Sequence, residues 1–149
     1  MKHHITDRDS FLKALAPLRE AVFAGRDLVY STEEGTLRFS LTREDPASRP
    51  GFLPGRRKPA WLQTVILVRR IVSYKQYLAA GPEEIYVLDR GEVGRGGTEL
   101  AFYFRPGDRA VMDVEQIDVT VEDAGRATAP PRKPQIVNPI VAKEKARRR

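Results

Sequence analysis

Hydrophobic and polar residues alternate along much of the chain at the two-residue period of a β-strand. In the segment 37–42 (LRFSLT), leucine and phenylalanine alternate with arginine, serine and threonine. Because successive side chains of a strand point to opposite sides of a sheet, this pattern predicts a strand with one buried and one solvent-facing side. Comparable patterns predict five further strands, at residues 28–30, 61–74, 85–88, 100–104 and 110–121.

Two of these six segments depart from simple alternation. The run VILV at 65–68 is apolar in both phases, which predicts a central strand covered on each side. In the segment 110–121 the hydrophobic phase changes near Glu115 and Gln116. One extra residue at that point predicts a β-bulge and a bent strand.

A helical period precedes the strands. Thr6 and Asp9 have the spacing of a capping box. The apolar residues that follow recur at helical spacing, at Phe11, Leu15, Leu18 and Val22. Pro17 lies inside this segment and lacks a backbone donor, which predicts a kink near Leu15 and Ala16 or two short helices.

These elements together predict an α+β fold in a single domain spanning residues 1–125. Short turns between the strands favour a curved, mostly antiparallel sheet of about six strands, arranged as a meander or half-barrel. The kinked N-terminal helical segment is expected to pack on one face of it. Residues 126–149, rich in proline and basic residues, are too poor in apolar side chains to form a core and are predicted to be a disordered tail.

The charge distribution changes how the basic composition is interpreted. The 149 residues carry a formal net charge of +6, but residues 126–149 hold eight basic residues and one acid, so residues 1–125 have a net charge of −1. The predicted domain is therefore not basic overall. Without cysteine, a signal-peptide pattern or a long apolar run, the chain is expected to be cytoplasmic and not inserted in a membrane.

Residue types with catalytic or metal-binding chemistry are few. The two histidines, His3 and His4, lie at a terminus predicted to be unstructured and solvated. The glycine-rich segment 91–97 (GEVGRGG) precedes a predicted strand rather than a helix, which favours a hairpin loop over a phosphate-binding loop. Acidic residues of the last strand occupy its polar phase, the pattern of a solvated face. We predict no catalytic residue, no metal site and no cofactor.

A long loop between the strands at 37–42 and 61–74 combines cations with an aromatic residue. Its basic residues are Arg49, Arg56, Arg57 and Lys58, and Trp61 follows them. Such a group could bind phosphates and stack on a base, or form a protein-binding hot spot. For Trp61 itself, the preferred interpretation is a core position that anchors the entrance to its strand.

The tail contains two apolar pairs and a terminal basic cluster. The pairs are Ile136 with Val137 and Ile140 with Val141, and the cluster is Lys143, Lys145, Arg147, Arg148 and Arg149. The tail is either a solubilising extension or a linear motif whose pairs bind the sheet edge or groove of a partner. In the second interpretation its cluster meets acidic protein or nucleic acid.

The sequence favours a non-enzymatic binding or accessory protein. It would engage a macromolecular partner, a protein in the preferred interpretation, through the loop of residues 49–61 and the tail. The first alternative is an RNA- or DNA-binding protein that uses the same basic segments. The second is a small-molecule binding protein or enzyme with a pocket between the helix and the curved sheet.

Overall fold

A computed structural model describes residues 2–46, 60–105 and 107–127. These residues form ten strands and one short helical segment, in which the α-helix α1 (Arg8–Leu15) continues into a 3₁₀ turn (Ala16–Leu18). A second 3₁₀ turn spans Gly25–Asp27. The strands are β1 (Lys2–Ile5), β2 (Val22–Ala24), β3 (Leu28–Ser31), β4 (Thr36–Glu44), β5 (Trp61–Val68), β6 (Ile71–Tyr77), β7 (Ile85–Val93), β8 (Glu99–Arg105), β9 (Asp108–Val114) and β10 (Val119–Ala127).

The predicted α+β fold with six strands and a kinked helix is wrong. The described residues form a mostly antiparallel sheet, with about 60% of them in strands. Two predicted strands, 61–74 and 110–121, are each divided in two, and β1 and β2 form where no strand was expected. β10 also continues through Ala127, two residues past the predicted domain boundary, while residues 128–149 lie outside the described part of the chain.

The strands pair in the order β1-β10-β5-β4-β2-β7-β8-β9-β6, and every pair is antiparallel. The long strand β4 pairs with β3 near its start and with β2 near its end. The sheet curves so that β6 meets the β3–β4 hairpin: the rings of Tyr30 and Tyr74 stack at 4.4 Å, and Ile71 N donates to Gly35 O at 2.9 Å. The sheet therefore has an inner face around the core and an outer face.

Aromatic side chains fill the inner face. Phe39 is fully buried and packs edge-on against Phe102, with ring centroids 5.0 Å apart. Phe23 packs edge-on against Phe104 at 4.7 Å. Burying each large apolar side chain contributes roughly 1.5 to 3 kcal/mol, so this cluster supplies much of the favourable free energy of folding.

The helix closes one side of this core. Asp7 is its N-cap and accepts a hydrogen bond from Ser10 N at 2.8 Å, whereas the predicted capping box began at Thr6. Phe11 and Leu15 are buried against β7. The helix ends at Leu15, and the 3₁₀ turn that follows it contains Pro17. Val22, predicted to be the last apolar residue of the helical segment, belongs to β2.

Within the described residues, no helix is both long enough and apolar enough to cross a membrane.

Candidate functional site

The last residues of β4 and β10 lie side by side with the first residue of β5 between them. The basic loop and the tail singled out in the sequence connect to these three strand ends. The register places Glu44, the last residue of β4, opposite Trp61, the first residue of β5. Trp61 in turn lies opposite Ala127, the last residue of β10. The loop 47–59 and the tail from residue 128 therefore depart from the same part of the molecule, which we name the loop–tail end.

Backbone pairing holds the base of the loop closed. Asp45 N donates to Ala60 O at 2.8 Å, one step beyond the last register pair of β4 and β5. The two ends of the loop are thus fixed next to each other, and the loop has to leave and return at one point. The loop cations and the tail residues predicted to bind lie outside the described residues; they are Arg49, Arg56, Arg57, Lys58, Ile136, Val137, Ile140, Val141, Arg147, Arg148 and Arg149.

A buried polar network lies beneath the loop–tail end, on the inner face. Arg43 of β4 donates to the Thr64 hydroxyl of β5 at 3.0 Å and to both carboxylate oxygens of Asp123 in β10, at 3.1 and 3.2 Å. Thr64 donates to Asp123 at 2.7 Å. Side chains therefore tie the three strands together close to the origins of the loop and the tail.

The network controls the ionisation of its carboxyl group. Burial alone would raise the pKa of Asp123, but the hydrogen bonds from Thr64 and Arg43 and the charge of Arg43 outweigh it and lower this pKa. Asp123 is consequently a carboxylate near neutral pH, and it offsets the charge of the buried Arg43.

Trp61 is half-buried and is not among the buried core residues. It lies in the same phase of β5 as Val65 and Leu67 and thus belongs to the outer face. The structure therefore places the aromatic residue at the surface next to the origins of both segments, rather than inside the core as the preferred interpretation has it.

An open groove of about 860 Å³ crosses the outer face of β1, β10, β5, β4 and β3. Its lining includes the aliphatic side chains of Val29, Val65 and Leu67, and Arg38 lies between Val29 and Leu67 in the register. The hydroxyl groups of Ser40 and Thr120 lie among them. The run at 65–68 was expected to be covered on both sides. Of its four residues, however, only Ile66 and Val68 are buried, and the other two are half-buried. We call this feature the outer groove.

The charges of the outer groove are only partly neutralised. Arg26 pairs with Glu83 at 3.0 Å, and Arg69 pairs with Asp118 at 3.4 Å. Among the described residues, no ion pair involves the other five charged lining residues, which are Lys2, Arg38, Asp27, Glu34 and Glu122. The unpaired part of the lining therefore carries three acids and two bases.

A second exposed feature lies on the outer face of the other half of the sheet. The register aligns Arg90, Tyr103, Arg109 and Tyr77 across β7, β8, β9 and β6. The guanidinium of Arg90 lies 4.3 Å from the centre of the Tyr103 ring, and that of Arg109 lies 4.8 Å from the centre of the Tyr77 ring. This row is a set of cross-strand cation–π pairs, which stabilise a sheet and are also common in protein interfaces.

Asp118 is the centre of a cluster between β9 and β10. It accepts hydrogen bonds from His4 at 2.9 Å and from Arg69 and Arg70 at 3.4 Å each. The His4 hydrogen bond is the main reason that the pKa of Asp118 is lowered, and it outweighs the opposing effect of burial. His4 is thus part of strand β1, contrary to the prediction of an unstructured terminus.

The space between the helix and the sheet is occupied by side chains. Phe11 packs edge-on against Phe102 at 5.6 Å. A Cβ atom added to Gly91 of β7 would lie 2.1 Å from a Leu15 methyl group, so the helix already touches the sheet backbone. Beside this packed contact, an open depression of about 480 Å³ lies between the helical segment and β7, lined by Leu12, Leu15, Ala16, Arg19, Asp89, Arg90 and Gly91. The ligand pocket hypothesised between helix and sheet stays a prediction.

The glycine-rich segment completes β7 as far as Val93 and then forms the predicted hairpin loop to β8, with Gly94 N donating to Glu99 O at 2.8 Å. Among residues 2–46, 60–105 and 107–127, no three His, Asp or Glu side chains are grouped so that they could hold a metal ion.

The sequence signals for these surfaces differed. Trp61 was identified because an aromatic residue followed a basic loop. The outer groove had a signal in the doubly apolar run at 65–68, but the pattern cannot tell a face covered by another strand from a face left open. The row of Arg90, Tyr103, Arg109 and Tyr77 was missed because its members are far apart in sequence and only the register aligns them.

Comparison of the chain with family models, curated proteins and solved structures gives no match.

Proposed function

We propose that this protein is a binding module that engages a macromolecular partner, in the first place a protein, at its loop–tail end. The observation that carries the proposal is the register of Glu44, Trp61 and Ala127 on three adjacent strands. It gives the basic loop and the tail a common origin beside a half-buried aromatic side chain. Segments that start together can contact one partner together, which raises their joint affinity.

The network of Arg43, Thr64 and Asp123, on the inner face next to the loop–tail end, also supports the proposal. Bonds between three strands make the base of the site rigid, and a rigid base reduces the entropic cost of binding. Trp61 at the centre has the amphipathic ring common among residues that dominate interface energetics.

The test uses the full chain carrying an affinity handle, captured from its native cells. Replacing Arg56, Arg57 and Lys58 together by Ser should reduce partner recovery, because these cations would contact the partner directly. A matched variant replaces Lys13, Lys75 and Arg95, three exposed cations remote from the loop–tail end, and should retain recovery. Equally reduced recovery in both variants would indicate a general charge effect and contradict the proposal.

The same capture separates a protein partner from the nucleic-acid alternative. If nuclease treatment removes all bound material, the basic segments bind RNA or DNA. If the partner survives nuclease and elutes as protein, affinity can be measured with the purified pair. Trp61→Ala should then weaken binding by about thirtyfold, the effect of a hot-spot residue worth about 2 kcal/mol.

A further inference from the structure

We propose that the free edge of β6 is a self-association site, where the strand pairs antiparallel with β6 of a second copy of this chain. In this dimer Gln76 lies opposite Gln76 of the other copy. No residue of the loop–tail end takes part, so this proposal and the proposed function can fail independently of each other.

The second half of β6 has an open backbone edge. β6 is the last strand in the order of the sheet, and it pairs with β9 on one side. On the other side the β3–β4 hairpin approaches its first half, where Tyr74 stacks on Tyr30. Residues 75–77 are exposed, and the described part of the chain supplies no strand that pairs with them there. Unpaired backbone groups at an edge without proline are a template for another strand.

The outer face indicates which side chain the added strand should bring. The row of Arg90, Tyr103, Arg109 and Tyr77 alternates cations and rings across four strands. It ends at the open edge with Tyr77, which is 50% exposed. A further strand continues this alternation if it places a cation opposite Tyr77.

β6 itself carries such a cation at the same edge. Lys75 lies two residues before Tyr77 and therefore on the same face of the strand. It is exposed and, among the residues that the structure describes, takes part in no ion pair. The open edge thus presents an unpaired cation and a half-exposed ring, each of which fits the other.

An antiparallel dimer brings these two groups together. When Gln76 lies opposite itself across a two-fold axis, Lys75 of each copy lies opposite Tyr77 of the other. Opposite side chains of an antiparallel pair have Cβ atoms about 4.5 to 5.5 Å apart, so two cation–π contacts form. Centring the pair on Lys75 would instead place two like charges opposite each other, which is destabilising. The pairing also uses the half of β6 that the hairpin leaves free.

Single cysteines can report this register, because the chain has no cysteine of its own. Gln76→Cys places two thiols opposite each other at a separation that a disulfide can bridge. Oxidised glutathione should therefore convert the full chain carrying Gln76→Cys into a covalent dimer. Ser73→Cys, on the same exposed strand, is the control and should stay monomeric. In the proposed register its thiol lies six residues from that of the other copy, roughly 20 Å at about 3.3 Å per residue.

Sedimentation equilibrium measures the association without cross-linking. The contact is short, so the dimer should be weak, and the parent chain is measured up to about 1 mM. Lys75→Ser removes both cation–π contacts and should raise the dissociation constant roughly tenfold. Lys13→Ser, at an exposed lysine of α1, removes the same charge and should leave the dissociation constant unchanged.

Three results would overturn the proposal. A parent chain that remains monomeric up to about 1 mM would leave the edge to an extended strand of another protein. Equal cross-linking of Gln76→Cys and Ser73→Cys would mean that the copies meet by collision rather than in a fixed register. Equal weakening by Lys75→Ser and Lys13→Ser would indicate a general effect of charge.

Discussion

At the residue scale, Arg43 and Asp123 occupy positions that the strand alternation assigns to the core. Leu37, Phe39 and Leu41, which the pattern predicted to face inward, are fully buried, and Arg43 continues their phase. The alternation of apolar and polar residues identifies the side of the sheet on which a residue lies, but not which side chains surround it there. The partners of Arg43 lie 21 and 80 residues away in sequence, so the pattern could not reveal the network.

Removing Arg43 should destabilise the protein strongly. Arg43→Ala removes two hydrogen bonds and the positive charge that Asp123 receives from β4, and breaking a buried pair costs about 3 to 5 kcal/mol. Thermal or denaturant unfolding measures this destabilisation. The double variant Arg43→Met with Asp123→Leu should recover a large part of it, because no unpaired charge remains. Failure of the double variant to recover stability would show that the network is held by packing rather than charge.

The hydrogen bond from His4 to Asp118 should make stability depend on pH. The pKa of Asp118 is lowered in the folded state, so the unfolded state binds more protons as pH approaches the ordinary pKa of about 3.9. Its contribution is therefore present above about pH 5 and is lost as pH falls through the lowered pKa.

Denaturant unfolding of His4→Ala across pH measures this contribution. The variant should be less stable than the parent at neutral pH, by no more than about 1 kcal/mol for so exposed a partner. The difference should disappear in acid, where Asp118 is protonated in both proteins. His3→Ala is the matched control, since the neighbouring side chain has the opposite strand phase. An equal destabilisation by His3→Ala would rule out a specific role for the hydrogen bond to Asp118.

At the scale of elements, the number of strands could be predicted less well than their positions. All six predicted strands coincide with observed ones, but the segments 61–74 and 110–121 bend sharply. Arg70 adopts a positive φ of 60° between β5 and β6, a conformation that hydrophobic periodicity does not signal for a non-glycine residue. β1 and β2 are only four and three residues long, too short for a periodic pattern.

The packing of α1 on β7 should be sensitive to a single methyl group. Gly91→Ala would place Cβ 2.1 Å from a Leu15 methyl group and 2.9 Å from the Phe11 ring. Overpacking of this kind costs about 1 to 3 kcal/mol, measurable as a lower melting temperature. Gly96→Ala, in the β7–β8 turn with its nearest neighbouring atom at 3.8 Å, is the control and should be nearly neutral. Equal stability of the two variants would mean that the helix can shift away from the sheet.

At the scale of the whole molecule, the antiparallel sheet could be predicted, but its closure could not. Turn residues between alternating segments indicate antiparallel neighbours, as in β7–β8 and β8–β9. The pairing of β10 with β1 and with β5 depends on interactions between distant residues. The loop–tail end and the outer groove both arise from these distant pairings, so the sequence could suggest Trp61 and the tail but not their common location.

The uneven charge of the chain predicts how it should interact with nucleic acid. Replacing Arg147, Arg148 and Arg149 by Ser lowers the formal charge from +6 and should weaken any non-specific RNA or DNA binding. The log–log slope of affinity against salt should become shallower by about 0.7 to 0.9 for each phosphate that is no longer neutralised. Fluorescence anisotropy over a salt series measures both effects. The Lys13, Lys75 and Arg95 variant removes the same charge, and an identical change there would argue against a dedicated role for the tail.

The pairing of β1 with β10 also bears on how the chain folds. Residues 2–5 lie opposite residues 119–122, so the two strands nearest the ends of the domain become neighbours only after almost all of it has been synthesised. Until then, β5 lacks one of its two partners and exposes an apolar strand edge. Such distant pairing places the protein among slow-folding topologies, on the millisecond-to-second scale. An unpaired apolar strand of this kind favours aggregation for as long as it stays exposed.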